Sequence, residues 1–219
     1  MKKILKSLLI VLIFMCMVVI MTGCGNKEEK KEEIVNDVSN EEEETKTEIS
    51  MGEWKDNVYT NDFLGLKFNL PEGWEYANDE EIAEKMNIGK ELLNDDQKIL
   101  AEISELNSVY YVSAMNPNTG DNLTIMTEKP VANVTTEFYL NSLKTQLEAV
   151  ESIDYEIKET SKETVANREY DVLRAYASIS GVSLVQKYYV YKLDNYFLTI
   201  IATSVTGEDG MNNMMKAFE

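Results

Sequence analysis

The sequence predicts an α+β domain, an antiparallel β-sheet flanked by helices, behind a leader and an acidic stretch that stand outside the fold. Three observations lead there. Residues 154–203 hold four strand-like runs broken at Ala166-Asn167, Ser180-Gly181 and Asp194-Asn195, the turn pairs of successive hairpins. Leu140, Leu143, Leu147 and Val150 keep the spacing of one helix face behind the capping candidates Thr135 and Thr136. Leu64, Leu66, Phe68 and Leu70 alternate with Gly65, Lys67 and Asn69, as in a strand with one buried face. Strands grouped into hairpins, with helices between the groups, point to helices covering an antiparallel sheet.

Taken in order, Val58–Thr60 reads as a short strand and Asn61-Asp62 as a turn, followed by the 64–70 strand. Pro71-Glu72-Gly73 ends that strand and Trp74 packs back on the sheet. Asn78 or Asp79 caps a helix whose first turn carries Glu80 and Glu81, favourable against the helix dipole, with Ile82 and Met86 on its apolar face. Helical sequence with Leu92, Leu93, Leu100 and Ile103 continues to about residue 106, re-capped at Asn94-Asp95-Asp96. Residues 108–128 read as a hairpin around the turn-dense Asn116–Asp121 segment. The last strand, YFLTIIAT at 196–203, is apolar on both faces and so belongs in the middle of the sheet. Met211, Met214, Met215 and Phe218 give a short amphipathic helix at the C-terminal end.

Asp62-Phe63 and the run Phe68-Asn69-Leu70-Pro71-Glu72-Gly73-Trp74 resemble the opening of the Mog1/PsbP-like fold. In that group a strand running into Pro-x-Gly-Trp starts a sheet with helices on both sides. The likeness covers roughly residues 57–219 and implies an α/β/α sandwich that binds partners or helps assemble complexes. The Asn116-Pro117-Asn118-Thr119-Gly120 turn is also similar to that of a set of clostridial-type lipoproteins.

The first 24 residues carry an address. Lys2, Lys3 and Lys6 precede an unbroken apolar run of 14 residues, Leu8–Met21. A secretory core is about 7–15 residues long and a spanning helix about 20, so the run fits a signal peptide. Met21-Thr22-Gly23-Cys24 resembles the bacterial lipobox, with Met21 where leucine is usual. The resemblance implies lipidation of the Cys24 thiol and cleavage after Gly23, with Met21, Thr22 and Gly23 read by the signal peptidase. Cys16 follows bulky Phe14 and Met15 and leaves with the signal. The expected organisation is therefore a signal peptide at 1–23, a lipidated cysteine with an acidic linker at 24–56, and an extracytoplasmic domain at 57–219. The linker is rich in Glu, holds four in a row at Glu41–Glu44, and has too little apolar surface to fold. As a coil of about 30 residues it spans roughly 30 Å.

Composition narrows the chemistry. The formal charge is −18, and losing three signal lysines takes it to −21. Such a surface repels nucleic acid and suits a cationic protein or envelope component. Cys24 is the sole cysteine after processing, so no intramolecular disulfide forms, and histidine is absent. No residues stand out as catalytic, cofactor-binding or metal-binding, and no cofactor is implied. The expectation is a non-catalytic binding or assembly module tethered to the cell membrane through Cys24, facing outward. The alternative is a solute- or cation-binding lipoprotein using the Asn116–Asn122 loop, whose oxygens could meet calcium although the ligand order of a calcium loop is missing.

Further candidates have ordinary readings beside them. Arg174 could meet an anionic ligand or pair with a cross-strand carboxylate. Tyr110, Tyr111, Tyr188, Tyr189, Tyr191 and Tyr196 could form a binding platform or simply pack the sheet. The Asp95-Asp96 pair lacks a spacing that assigns an acid and a base, and Ser142 and Lys144 point apart on their helix.

Overall fold

The computed structural model describes residues 49–90, 107–130, 132–150, 153–179 and 181–219. Cys24, Met21, Thr22, Gly23, the linker up to residue 48 and the Asn94–Asp96 segment lie outside them. The fold is α+β, with eleven strands and three helices among the described residues. A small sheet is formed by β1 (Glu53–Lys55), β2 (Val58–Asn61) and β3 (Leu66–Asn69). A large antiparallel sheet is formed by β4 (Glu75–Tyr76), β5 (Ser108–Met115), β6 (Asn122–Glu128), β7 (Asp154–Ile157), β8 (Ser161–Val165), β9 (Arg168–Ile179), β10 (Val182–Leu193) and β11 (Tyr196–Ser204). Its order is β4-β5-β6-β11-β10-β9-β7, with β8 also paired to β9.

The tail end of the sequence supplies the middle of the sheet. β11 lies between β6 and β10 and is buried along Phe197–Ser204, as its two-faced apolar pattern requires. The 108–128 hairpin forms as expected, with a register shift between Tyr110 and Val112. Tyr111 is the extra residue of that bulge, and its hydroxyl meets Thr127 Oγ1 at 3.1 Å.

Helix α2 (Thr136–Glu148) begins at Thr135, whose Oγ1 accepts the Phe138 N–H at 3.2 Å. It lays Tyr139, Leu140, Leu143 and Leu147 against Met126, Leu173, Tyr188, Val190, Phe197 and Ile201 on one sheet face. Helix α1 (Asp79–Lys90) begins in a reciprocal cap: Asn78 Oδ1 accepts from the Glu81 N–H, and Glu81 Oε2 accepts from the Asn78 N–H.

Among the described residues, the opposite face is covered by α3 (Glu208–Met215) together with the small sheet, packing Tyr59, Leu64, Phe68, Met211 and Met214 on Leu123, Val172, Tyr189 and Ile200, so helices lie on both sides of the large sheet. Trp74 packs at the margin of this core. The C-terminal residues complete the layer. Asn69 N–H donates to Ala217 O at 2.8 Å, Glu219 N–H donates to Lys67 O at 3.1 Å, and Phe68 bridges Phe218.

Three boundaries differ from the sequence reading. Ordered pairing starts at Glu53, inside the expected 24–56 linker, because Trp54 has Tyr59 and Phe68 to pack against and Asp56-Asn57 make a tight turn with both φ positive. The 64–70 strand shortens to Leu66–Asn69 because Gly65 turns at φ 60° and Asn61 Oδ1 captures the Leu64 N–H at 3.0 Å. Residues 155–164 are two strands rather than one, interrupted at Lys158–Thr160. The long β9 pairs with β8 along Arg168–Val172 and with β7 along Ala175–Ser178.

Candidate functional site

Alternation along β9 and β10 decides which side chains meet on the face shared with α3. Arg174 and Tyr176 of β9 and Val185, Lys187 and Tyr189 of β10 emerge there, because cross-strand pairs such as Lys187–Arg174 put both partners on the same face. Glu163 reaches in from β8. Its carboxylate accepts from Lys187 Nζ at 2.9 and 3.0 Å, from the Tyr189 hydroxyl at 3.1 Å and from Arg174 Nη2 at 3.4 Å. Glu208, in the first turn of α3, continues the network: its Oε1 accepts from the Tyr176 hydroxyl at 3.0 Å and lies 3.6 Å from Arg174 Nη1. Arg174 therefore holds two carboxylates together, which is its pairing role, from a strand and a helix at once.

This network is close to self-neutralised. Lys187 is only 4% exposed at its side chain, whereas Glu163 keeps 29%. Burial pushes the Glu163 carboxyl up, but Lys187, Tyr189 and Arg174 outweigh it and hold the group below the usual carboxylate range. Burial and the Glu163 charge push the Tyr189 phenol well up, so it remains a hydrogen-bond donor. A depressed carboxyl stabilises the fold at pH values above its unfolded value of 4.5 and loses that contribution as pH falls through the lower folded value. Thermal melts between about pH 6 and pH 3 should show this loss, and Glu163→Gln should flatten the profile.

Beside the network lies an open trough of about 530 Å³. Asp154 and Glu156 of β7 form its rim, with Tyr176, Ser178, Ser183 and Thr206 supplying a ring and hydroxyls. Lys158 pairs with Glu156 and lies 5.6 Å from the Tyr176 ring centre. Among the described residues no cation pairs with Asp154. The volume falls in the range of ligand clefts, and the lining offers acceptors and hydroxyls to a group that carries N–H donors.

Neither a family model nor a curated protein matches the sequence. Several solved structures are similar, these two among them. The PsbP protein (CyanoP) of Synechocystis sp. PCC 6803 shares 11% identity over 74% of this chain and 90% of its own, with a TM-score of 0.45. LpqN of Mycobacterium tuberculosis, involved in cell envelope biogenesis, shares 11% identity over 70% of this chain and 81% of its own, with a TM-score of 0.40. No described helix is long and apolar enough to cross a membrane.

The other sequence candidates fall into place individually. Tyr111, Tyr188 and Tyr189 are buried, Tyr191 packs against Tyr170, and Tyr196 meets Phe63 edge-on, so the tyrosines pack the sheet and do not share one exposed platform. Tyr110 sits at the margin of the α2-side core. Lys144 pairs with Glu148 along α2, away from Ser142.

Several oxygens of the Asn116–Asn122 loop are taken up within the fold, while the buried Asn122 Oδ1 has no hydrogen-bond partner. Asn116 Oδ1 accepts from the Asn118 and Thr119 N–H groups, and Gly120 O accepts from Asn122 Nδ2. The Asp121 carboxylate, 7% exposed, turns inward and takes four donors: the Val205 N–H (2.8 Å), Thr206 N–H (3.2 Å), Ser204 hydroxyl (3.0 Å) and Thr206 hydroxyl (2.8 Å). Among the described residues no group of three or more acidic, histidine or cysteine side chains is placed to hold a metal. Adding calcium should leave the melting temperature unchanged in scanning calorimetry, since ion binding to the folded state alone would raise it.

Arg168 is the residue that sequence reasoning passed over. Its Nη1 donates to Leu64 O at 2.7 Å and its guanidinium lies 4.6 Å from the Tyr191 ring centre, pinning the β2–β3 turn to the large sheet. Only its rarity, as one of two arginines, marked it in the sequence.

Proposed function

We propose that the chain is a non-catalytic, lipid-anchored extracytoplasmic module that captures a cationic protein or envelope component in the trough along β7. The observation that carries this reading is the pairing of an open, carboxylate-rimmed trough with a network whose other charges satisfy one another. Glu163, Lys187, Arg174 and Glu208 are engaged in holding β8, β9, β10 and α3 together, and of the rim carboxylates Glu156 shares Lys158 while Asp154 has no described cation, so Asp154 is the first to meet a partner. The net charge of −18 favours encounter with cations and screens out polyanions. The lipobox-like Met21-Thr22-Gly23-Cys24 supports the anchor, and two acyl chains on Cys24 would hold it stably where one would not. The cation-binding alternative is less favoured at the Asn116–Asn122 loop, because Asn116 Oδ1 and the Asp121 carboxylate already accept hydrogen bonds within the fold.

Two experiments test the two halves. Cys24→Ala should release the protein from the membrane fraction or leave an unprocessed precursor; normal processing and retention would overturn the anchor. A lysine-rich peptide titrated into the processed chain should bind, and Asp154→Lys with Glu156→Lys should weaken it by about tenfold or more through charge reversal. Equal binding by the reversed variant would overturn the trough as the site.

A further inference from the structure

The corner of the domain nearest its linker carries a second feature. Among the described residues the exposed large hydrophobics are Ile49, Met51, Tyr76 and Phe138, and three of these four belong to the entry side of the fold. Ile49 and Met51 lead directly into β1. Tyr76, 44% exposed, stacks on Trp54 of β1 with ring centres 4.1 Å apart and planes 9° from parallel. β1 is the edge of the small sheet and β4, which carries Tyr76, is the edge of the large one. The stack therefore joins the margins of the two layers at the point where the chain arrives from Cys24.

We propose that this Trp54–Tyr76 corner rests on the surface of the bilayer that holds the anchor. The proposal builds on the reading of Cys24 as lipidated. Tryptophan and tyrosine rings favour the headgroup level of a membrane, where an apolar ring and a polar tip are both accommodated. The 25 residues from Cys24 to Ile49 cannot carry Ile49 further than about 90 Å from the anchor, whatever their conformation. Confinement of that kind raises the effective concentration of the surface to the order of millimolar, so a contact too weak to form from free solution becomes populated. The sequence neighbours of the stacked rings, Glu53, Lys55, Asp56 and Glu75, carry more negative than positive charge, so the contact is stronger on neutral headgroups than on anionic ones.

Trp54 and Trp74 are the only tryptophans, and Cys24 is the only thiol of the processed chain, which makes the test direct. The processed chain is coupled through Cys24 to a maleimide lipid in phosphatidylcholine vesicles, with and without brominated acyl chains. In Trp74→Phe, where Trp54 alone emits, brominated vesicles should quench the emission by about twofold, and adding Tyr76→Ser should remove most of that quenching. In the unsubstituted chain, amide exchange at Trp54 and Tyr76 should slow on coupling. Unchanged Trp54 emission together with unchanged exchange would overturn the proposal and indicate that the corner faces solvent or a protein partner. Because the coupling is chemical, this result is independent of whether a cell lipidates Cys24, so failure of the anchor and failure of the surface contact are told apart.

Discussion

Replacing Asp121 by alanine is expected to cost the fold about 3 kcal/mol, the most damaging change of a single polar side chain in the described structure. The carboxylate accepts two backbone N–H groups and two hydroxyls, which tie the β5–β6 hairpin to the segment entering α3. Removing it takes the acceptor from the part-buried Val205 and Thr206 N–H groups and from two hydroxyls, each a loss of about 1–3 kcal/mol where water cannot replace it and less where water enters. The neighbouring helix cannot move in to compensate. A Cβ on Gly210 would already lie 1.9 Å from Thr206 Oγ1 and 2.4 Å from Ser204 Oγ, so α3 is seated as close as it can be. For a domain of this size the melting temperature should fall by roughly 6–12 °C. Asp121→Asn keeps one acceptor oxygen and should lose about 1 kcal/mol. Equal melting of wild type and Asp121→Ala would show that the hairpin is held by packing alone.

The second large effect is an asymmetry. Glu163→Ala should destabilise by about 2 kcal/mol, because it leaves the Lys187 ammonium buried without its carboxylate. The figure sits below the range for fully buried pairs since Glu163 keeps partial exposure and water can reach the vacated space. Lys187→Met, by contrast, removes the costly buried charge, and Glu163 retains Tyr189 and Arg174 as partners. It should change stability by less than about 1 kcal/mol in either direction. Urea denaturation of the two single variants and the double variant measures the coupling. A double variant whose loss equals the sum of the two single losses would mean that the two charges act independently.

Much of the architecture was legible because it rests on periodicity. The two-faced apolar run at 196–203 indicated a central strand, and β11 occupies the middle of the sheet. Thr135 and its leucine spacing marked α2, and the turn residues marked the hairpins. The small sheet was less legible, since its outer strand is three residues long and is held by Trp54 finding Tyr59, Phe68 and Tyr76, contacts that span up to 22 positions. The site was the least legible part. Glu163 is one of 39 acidic residues and nothing in its neighbours distinguishes it, because its meaning comes from Lys187, Tyr189 and Glu208, which are remote in sequence. Arg174 was visible by rarity, and the ordinary cross-strand pairing weighed for it describes half of what it does.

The position of β11 also sets when the domain can exist. A chain made from its N-terminal end holds β5–β6 and β9–β10 as two separate ribbons until residues 196–204 arrive to join them. The cover waits longer still, because β3 takes its outer partner from Ala217–Glu219. Residues up to Ser204 must therefore be synthesised before the sheet closes, and the decisive pairings are non-local and slow. A polypeptide with this order stays threadable until its central strand and the segment behind it have been made.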